Sequence, residues 1–311
     1  MLRSFAILWL VSACATAGDP PLSPPARAVL PGMHATAARA PEPAPASTPA
    51  PPVATPCPEE MVFVDTMHCP DTAQHKVGLQ CLKKEEERSN KLTICHRFAP
   101  GQTCRTEERR QRFCIDRYEY PSVAGAHPPV MVSAYDAASL CAEKNKRLCW
   151  ESEWTAACEG PQKKPFPYGH ERSKAQCNID NPFVDPNLSR VHSPSASERD
   201  PELRRLDQSV ASGSMSGCRS DFGVFDLTGN LDEWVLSEWP RGKSEWAALK
   251  GGAWGHVRNA CRPVTVSHSP QWSYYFVSFR CCKDVSGDEQ AWKPPAAPVF
   301  QKAVQRGWSG E

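Results

Sequence analysis

Apolar residues come in short runs, separated by long polar or proline-bearing stretches. The first run, Phe5-Ala6-Ile7-Leu8-Trp9-Leu10-Val11, follows Arg3. It is too short to span a bilayer, which takes roughly 20 apolar residues, and reads as the core of an export signal. Met61-Val62-Phe63-Val64 predicts a short strand. From Phe113 to Pro121 the chain alternates apolar and polar positions and stops at a proline, which predicts a second strand. Ser133 followed by Asp136 has the form of a helix N-terminus, and Ala137, Leu140 and Cys141 follow at core spacing. Glu151, Trp154, Ala157 and Cys158 repeat with the period of a second short helix. Residues 159–282 are rich in Gly, Ser, Asn and Pro, so largely irregular backbone is expected there.

Composition sharpens this picture at three points. The 36 Lys and Arg against 35 Asp and Glu give a formal charge of +1. A nucleic-acid binder needs a basic surplus to displace counterions, so that class is excluded. The prolines concentrate in residues 19–56, which cannot bury apolar area and read as an extended tether. Fifteen cysteines point to an oxidising compartment. Val11-Ser12-Ala13-Cys14 resembles a bacterial lipobox, in which the cysteine is lipidated, although Ala15-Thr16-Ala17 also satisfies ordinary signal cleavage. With Cys14 set aside, an even number of cysteines remains, and they read as a disulfide framework. The expected organisation is a signal peptide with lipobox over 1–18, the tether over 19–56, a folded domain over 57–284 and a polar tail over 285–311. Within the domain, the charged stretch 83–112 reads as a solvated, disulfide-tied insertion, because its charges alternate in sign.

Zinc-protease, nucleotide-loop and dinucleotide motifs are absent, and Gly213-Ser214-Met215-Ser216-Gly217 is a loop with Met215 where a nucleophilic serine would stand. Two constellations stand out. Asp226-Leu227-Thr228-Gly229-Asn230-Leu231-Asp232-Glu233-Trp234 places two carboxylates about a glycine turn; this suits calcium, or an acidic turn capping a short helix. Gly251-Gly252-Ala253-Trp254-Gly255-His256 runs on to Cys261 and Arg262. His256 and Cys261 there could hold a soft metal or a low-pKa thiolate, or Cys261 could be half of a disulfide.

Four segments in order resemble the sulfatase-modifying-factor family, which includes the formylglycine-generating enzyme. Arg147-Leu148-Cys149-Trp150-Glu151-Ser152-Glu153-Trp154 is similar to its Arg-Leu-Pro-Thr-Glu-Ala-Glu-Trp signature. Gly229 to Trp234 is similar to Gly-Asn-x-x-Glu-Trp, Gly251 to Trp254 to Gly-Gly-Ser-Trp, and Ser278-Phe279-Arg280-Cys281 to the closing Gly-Phe-Arg segment. The resemblance implies one α+β domain of C-type-lectin-like type, disulfide-rich and with much irregular structure. It implies calcium held by the side chains of Asp226 and Glu233 and the carbonyls of Gly229 and Leu231, and a second calcium position at Asn178 and Ile179 whose acidic partner has no match. It also implies a Cys141–Cys281 pair.

The family's activity resembles a copper and oxygen oxidation using two cysteines. Here one of those positions is Cys261, the other is His256, and the family serine is Ala253. Cys158 matches a family cysteine whose partner position is Val266, so Cys261 becomes its nearest alternative mate. Three readings follow. One is a copper-dependent oxidase with His256 and Cys261 as catalytic residues, acting on an exported protein, peptide or metabolite. Another is a non-catalytic, calcium-stabilised binding module, anchored through lipidated Cys14 in the periplasm at the outer membrane. The third is a structural envelope component using residues 83–112 as its interaction surface.

Overall fold

A computed structural model describes residues 56–70, 79–87, 92–101, 103–256 and 258–285. The signal segment with Cys14, nearly all of the tether and all but the first residue of the polar tail therefore lie outside the described residues. Strand β1 (Met61–His68) pairs antiparallel with β4 (Arg109–Asp116), from Met61 opposite Asp116 to His68 opposite Arg109. Val62 and Val64 on one strand and Phe113 and Ile115 on the other point into the same core, which Trp154 and Ala157 also enter. The outer face carries charge, and Arg110 donates to both oxygens of Asp65 at 2.7 and 2.8 Å.

Between these strands stands a ribbon of β2 (Cys81–Glu87) and β3 (Leu92–Phe98), closed by Cys81–Cys95. The ribbon lies largely within the stretch of about 83–112 expected as an insertion, and β4 begins at Arg109. Strand β4 begins four residues earlier than the alternation at Phe113 predicts. Its first half carries charged residues on a solvated face, so the polar run conceals a strand that pairs along its whole length.

Helix α1 (Ala134–Glu143) starts as expected. The Ser133 hydroxyl accepts the Asp136 N–H at 3.2 Å, and the Asp136 carboxylate accepts the Ser133 N–H at 3.0 Å. Such reciprocal capping satisfies two otherwise orphaned donors. After β5 (Arg147–Leu148) comes α2 (Glu151–Glu159). Glu153 accepts the Trp150 N–H at 2.8 Å while Arg147 holds its other lone pairs at 2.7 Å, so the family-like signature here is a helix start locked to a strand.

Two helices occupy the stretch expected to be irregular, α3 (Leu188–Val191) and α4 (Ala196–Leu206). The remaining strands are β6 (Asp232–Leu236), β7 (Ala247–Lys250), β8 (Val264–Thr265), β9 (Val277–Phe279) and β10 (Cys281–Asp284). They complete two sheets, β1-β4-β10-β5 and β8-β7-β6-β9.

Seven disulfides use all fourteen cysteines from Cys57 onward. Adjacent residues of a strand face opposite ways. Cys281 accordingly reaches Cys141 on α1, the expected pair, while Cys282 reaches Cys149 on the other side. A disulfide closing a loop of this length typically contributes about 2–4 kcal/mol by restricting the unfolded chain. Cross-links therefore stabilise a domain whose strands are mostly short.

Candidate functional site

Strand β7 is followed by Gly251 and Gly252, with φ of +90° and +71°. A Cβ on Gly251 would lie 2.9 Å from the Leu227 carbonyl, and one on Gly252 would meet Asn259 at 3.0 Å and His256 at 3.2 Å. The turn needs glycine for both conformation and space. Asn259 is fully buried and braces the segment beyond the turn. Its amide donates to the carbonyls of Gly252 at 2.9 Å and Ala253 at 2.8 Å, with a longer contact to Gly251. Its carbonyl accepts from Arg172, which also donates to the His256 carbonyl at 3.0 Å and pairs with Asp180.

This frame fixes the imidazole of His256. Nδ1 accepts the Ala253 N–H at 3.2 Å, so the neutral ring carries its proton on Nε2. Burial, then the nearby Arg258, push His256 down to about 4. Asp232 lies 3.6 Å from Nδ1 and accepts the Gly252 N–H, and burial lifts its carboxyl to about 7. The short approach is therefore not an ion pair: around pH 6 both groups favour their neutral forms.

Cys261 faces elsewhere. It is bonded to Cys158 on α2, has no exposure, and belongs to the core that contains Trp154 and Phe113. Arg262 beside it donates twice to Glu159 at 2.7 Å. The structure therefore overturns the joint assignment of His256 and Cys261 as catalytic residues. One lines a cleft, and the other is a spent thiol in the core. Copper does not fit. The thiolate is consumed, Nδ1 of His256 is taken, and among the described residues no three His, Cys, Asp or Glu side chains gather around a common point.

The acidic loop behaves differently. Gly229 has φ +81°, and a Cβ there would come within 2.3 Å of the Asn178 carbonyl. Glu233 accepts from Arg280 at 2.6 and 2.7 Å and from the Trp154 indole at 2.8 Å. Asp226 accepts the Gly213 N–H at 2.7 Å. Glu119 accepts Asn230 at 2.8 and 3.1 Å. Burial raises Asp226 to about 6 and lifts Glu119 well above the carboxylate range, with the charges of Asp226 and Glu233 adding to the latter. Three buried carboxyl groups thus share one buried guanidinium. Oxygen donors suit a hard cation, but both Glu233 oxygens are engaged by Arg280 and Trp154, so a calcium ion held by Asp226, Glu233 and the carbonyls of Gly229 and Leu231 would have to displace those donors.

A large cleft lies beside the Gly251-Gly252 turn, with no counterpart in the sequence motifs. His256 and Ala253 border a cleft of about 1140 Å³, walled by Trp254, Trp272, Tyr274, Tyr275 and Phe276. His268 stacks on Trp272 at 3.7 Å and Trp272 on Tyr274 at 5.2 Å, while His256 meets Phe276 edge-on at 4.6 Å. Phe183 on the lip is 79% exposed. The signal available in the sequence was the aromatic cluster Trp272-Ser273-Tyr274-Tyr275-Phe276 just ahead of the closing motif.

Residues 73–285 match the family described as sulfatase-modifying factor enzyme 1-like domain. Among curated proteins, the chain is 27% identical over 164 residues to inactive C-alpha-formylglycine-generating enzyme 2 of Bos taurus, covering 50% of this chain and 49% of the relative. The Mus musculus protein of the same name is 26% identical over 161 residues, covering 50% and 48%. The chain thus spans about half the length of these relatives. Among solved structures, CarF covers 74% of this chain and 99% of its own at 14% identity and TM-score 0.44. PvdO from Pseudomonas aeruginosa covers 74% and 96% at 18% and 0.41.

Proposed function

The chain belongs to the sulfatase-modifying factor family, and on that premise we propose that it is a non-catalytic binding module whose ligand occupies the aromatic cleft beside His256. One observation carries the reading: Cys261 is spent in a disulfide with Cys158, while the cleft at the end of the Gly251-Gly252 turn is open and large. Thiol-based oxidation needs a thiolate at that turn, and this chain supplies an imidazole locked as a hydrogen-bond donor instead. The relatives named inactive agree with this in their names alone. Ligand pockets are commonly apolar and aromatic with a few placed polar groups, and this cleft has that composition.

Calcium belongs to the proposal as a structural ion. Asp226, Gly229, Leu231 and Glu233 would hold it, and its charge would offset the buried carboxyl groups. Export and anchoring through Cys14 complete the reading. They rest on the Val11-Ser12-Ala13-Cys14 pattern and on a cysteine complement suited to an oxidising compartment. Labelled palmitate should appear in the wild-type chain and not in Cys14→Ser; labelling of both, or of neither, contradicts the anchor.

The test of function is an oxidation assay. Purified chain is supplied with copper(I), oxygen and a cysteine-bearing peptide, and the peptide is analysed by mass spectrometry for conversion of the thiol to an aldehyde. The proposal expects no conversion above a protein-free control. Multiple turnovers would overturn it.

A further inference from the structure

Strand β6 opens on Asp232 and Glu233, and successive residues of a strand face opposite sides. Glu233 turns to Arg280 and the Trp154 indole in the core, while Asp232 turns to the cleft and lines it. The Asp232 N–H donates to the Phe276 carbonyl at 2.9 Å, and the Trp254 N–H donates to the Asn230 carbonyl at 3.1 Å. The carboxyl group and the aromatic wall therefore hang on one backbone frame. Asp232 is only 2% exposed. Its Oδ1 accepts the Gly252 N–H at 3.2 Å. Its Oδ2 receives no hydrogen bond from any described residue. His256 Nδ1 stands 3.6 Å away, but it accepts the Ala253 N–H and has no proton to give.

A buried carboxylate oxygen is costly to leave without a donor, so the donor comes from the cleft: water in the free protein, a ligand in the complex. The surroundings narrow what that ligand is. A hard metal ion takes several oxygen ligands, whereas here one carboxylate stands among rings, and no metal-ligating cluster gathers among the described residues. An ammonium group needs only one such oxygen and is further attracted by aromatic faces. Trp254 meets Phe276 edge to face at 6.4 Å, and Tyr275 lies 4.8 Å from Phe276. The full charges lining the cleft are those of Asp232 and Arg258. Burial lowers both His256 and His268, so neither imidazole adds positive charge. Arg258 is exposed and tied to Thr265 at 3.2 Å. It disfavours a ligand of many positive charges and leaves one ammonium on an apolar body as the complement of the site.

We propose that the cleft binds an organic ammonium compound, a protonated amine seated on the free oxygen of Asp232 with a flat apolar body against the rings of Trp254, Tyr275 and Phe276. This rests on the cleft being a binding site, as proposed above, and adds the chemical class of its ligand. The contact is a charge-assisted hydrogen bond in a largely dry setting, the kind that is short and strong. A neutral compound of the same shape would leave the carboxylate oxygen unpaired, so the site discriminates by the ammonium and not by the ring. The volume of about 1140 Å³ admits an apolar body larger than one ring.

The experiment titrates phenethylamine into the full chain at pH 8 by calorimetry. Phenethyl alcohol and hydrocinnamate, which keep the ring and replace the ammonium by a hydroxyl or a carboxylate, are titrated in parallel. The expected result is one site for phenethylamine with a dissociation constant below about 1 mM, and at least tenfold weaker binding of the other two. Asp232→Asn keeps an acceptor for the Gly252 N–H and removes the charge. With its melting curve recorded alongside, it should bind phenethylamine at least tenfold more weakly, and no better than the alcohol. Absence of saturable phenethylamine binding overturns the proposal. So does a wild-type chain that binds the alcohol or hydrocinnamate as tightly as the amine, a comparison that holds even where the variant does not fold. A folded Asp232→Asn chain that still prefers the amine overturns Asp232 as its seat. These failures are distinct from failure of the non-catalytic reading, which peptide oxidation decides whether or not amines bind.

Discussion

Replacing Asn259 with leucine keeps the side chain's approximate volume and removes every polar atom through which Asn259 holds the His256 loop. In the native fold its amide donates to Gly252 and Ala253 at 2.9 and 2.8 Å, and its carbonyl accepts from Arg172 at 2.9 Å. A buried acceptor left without its donor costs about 1–3 kcal/mol, and a bond to a charged group contributes about 1.5–3 kcal/mol. Arg172 retains Asp180 and the His256 carbonyl, and water from the cleft can reach part of the turn, so the net loss should be about 3 kcal/mol. For a domain of this size each kcal/mol moves the melting temperature by about 2–4 °C, giving an expected fall of about 6–12 °C. Calorimetry with the disulfides intact is the assay. Limited proteolysis should also show new cleavage between Ala253 and Arg258, because the loop loses its brace before the cross-linked core opens. A melting temperature within about 2 °C of wild type, with no new cleavage, would refute the assignment of Asn259 as the brace.

Two further outcomes rest on the buried charges. Lys250 is fully buried, donates to the Arg262 carbonyl at 3.1 Å and lies 5.2 Å over the Trp154 ring. Burial lowers it from 10.5 to about 8, which weighs about 3 kcal/mol against the charged form. The folded value lies below the unfolded one, so the penalty is present in full below pH 8 and is relieved as pH rises towards 10.5. Lys250→Met should therefore raise stability at pH 7 by about 1–2 kcal/mol, after allowing for the lost hydrogen bond, and the gain should vanish by about pH 10. Destabilisation at pH 7 in a denaturant titration would contradict this. For calcium, chelation at pH 7.5 should lower the melting temperature, restored by calcium and not by magnesium, and Asp226→Asn should remove the response; an unchanged melting curve would exclude the ion.

Most of the chemistry legible in the sequence has short reach. The Ser133–Asp136 cap is written within four residues, and the structure builds it atom for atom. The cysteine parity matches the framework because an even number of cysteines can pair completely, as the seven disulfides do. The four family-like segments located the loops, since each encodes a local device: a helix start, a glycine turn, a closing arginine. Elements whose signal depends on tertiary surroundings were obscured. Helix α4 carries Pro201 and the charges Glu198, Arg199 and Asp200, and only its packing through Leu203 and Leu206 shows it as an element. The first half of β4 was masked by arginines whose partner, Asp65, stands on another strand. The cleft was missed because its wall combines residues near 183, 254 and 274 that no periodicity connects. His256 and Cys261 are close in sequence, yet the chain between them sends one side chain to the cleft and the other to the core.

The state of Cys261 tests the account most directly. Purified, unreduced chain is alkylated under denaturing conditions, digested without reductant and mapped by mass spectrometry. The account predicts a Cys158–Cys261 cross-linked peptide in essentially all molecules, with no alkylated Cys261. Stoichiometric alkylation of Cys261, with Cys158 free or paired elsewhere, would contradict it and return a thiol to the turn beside His256.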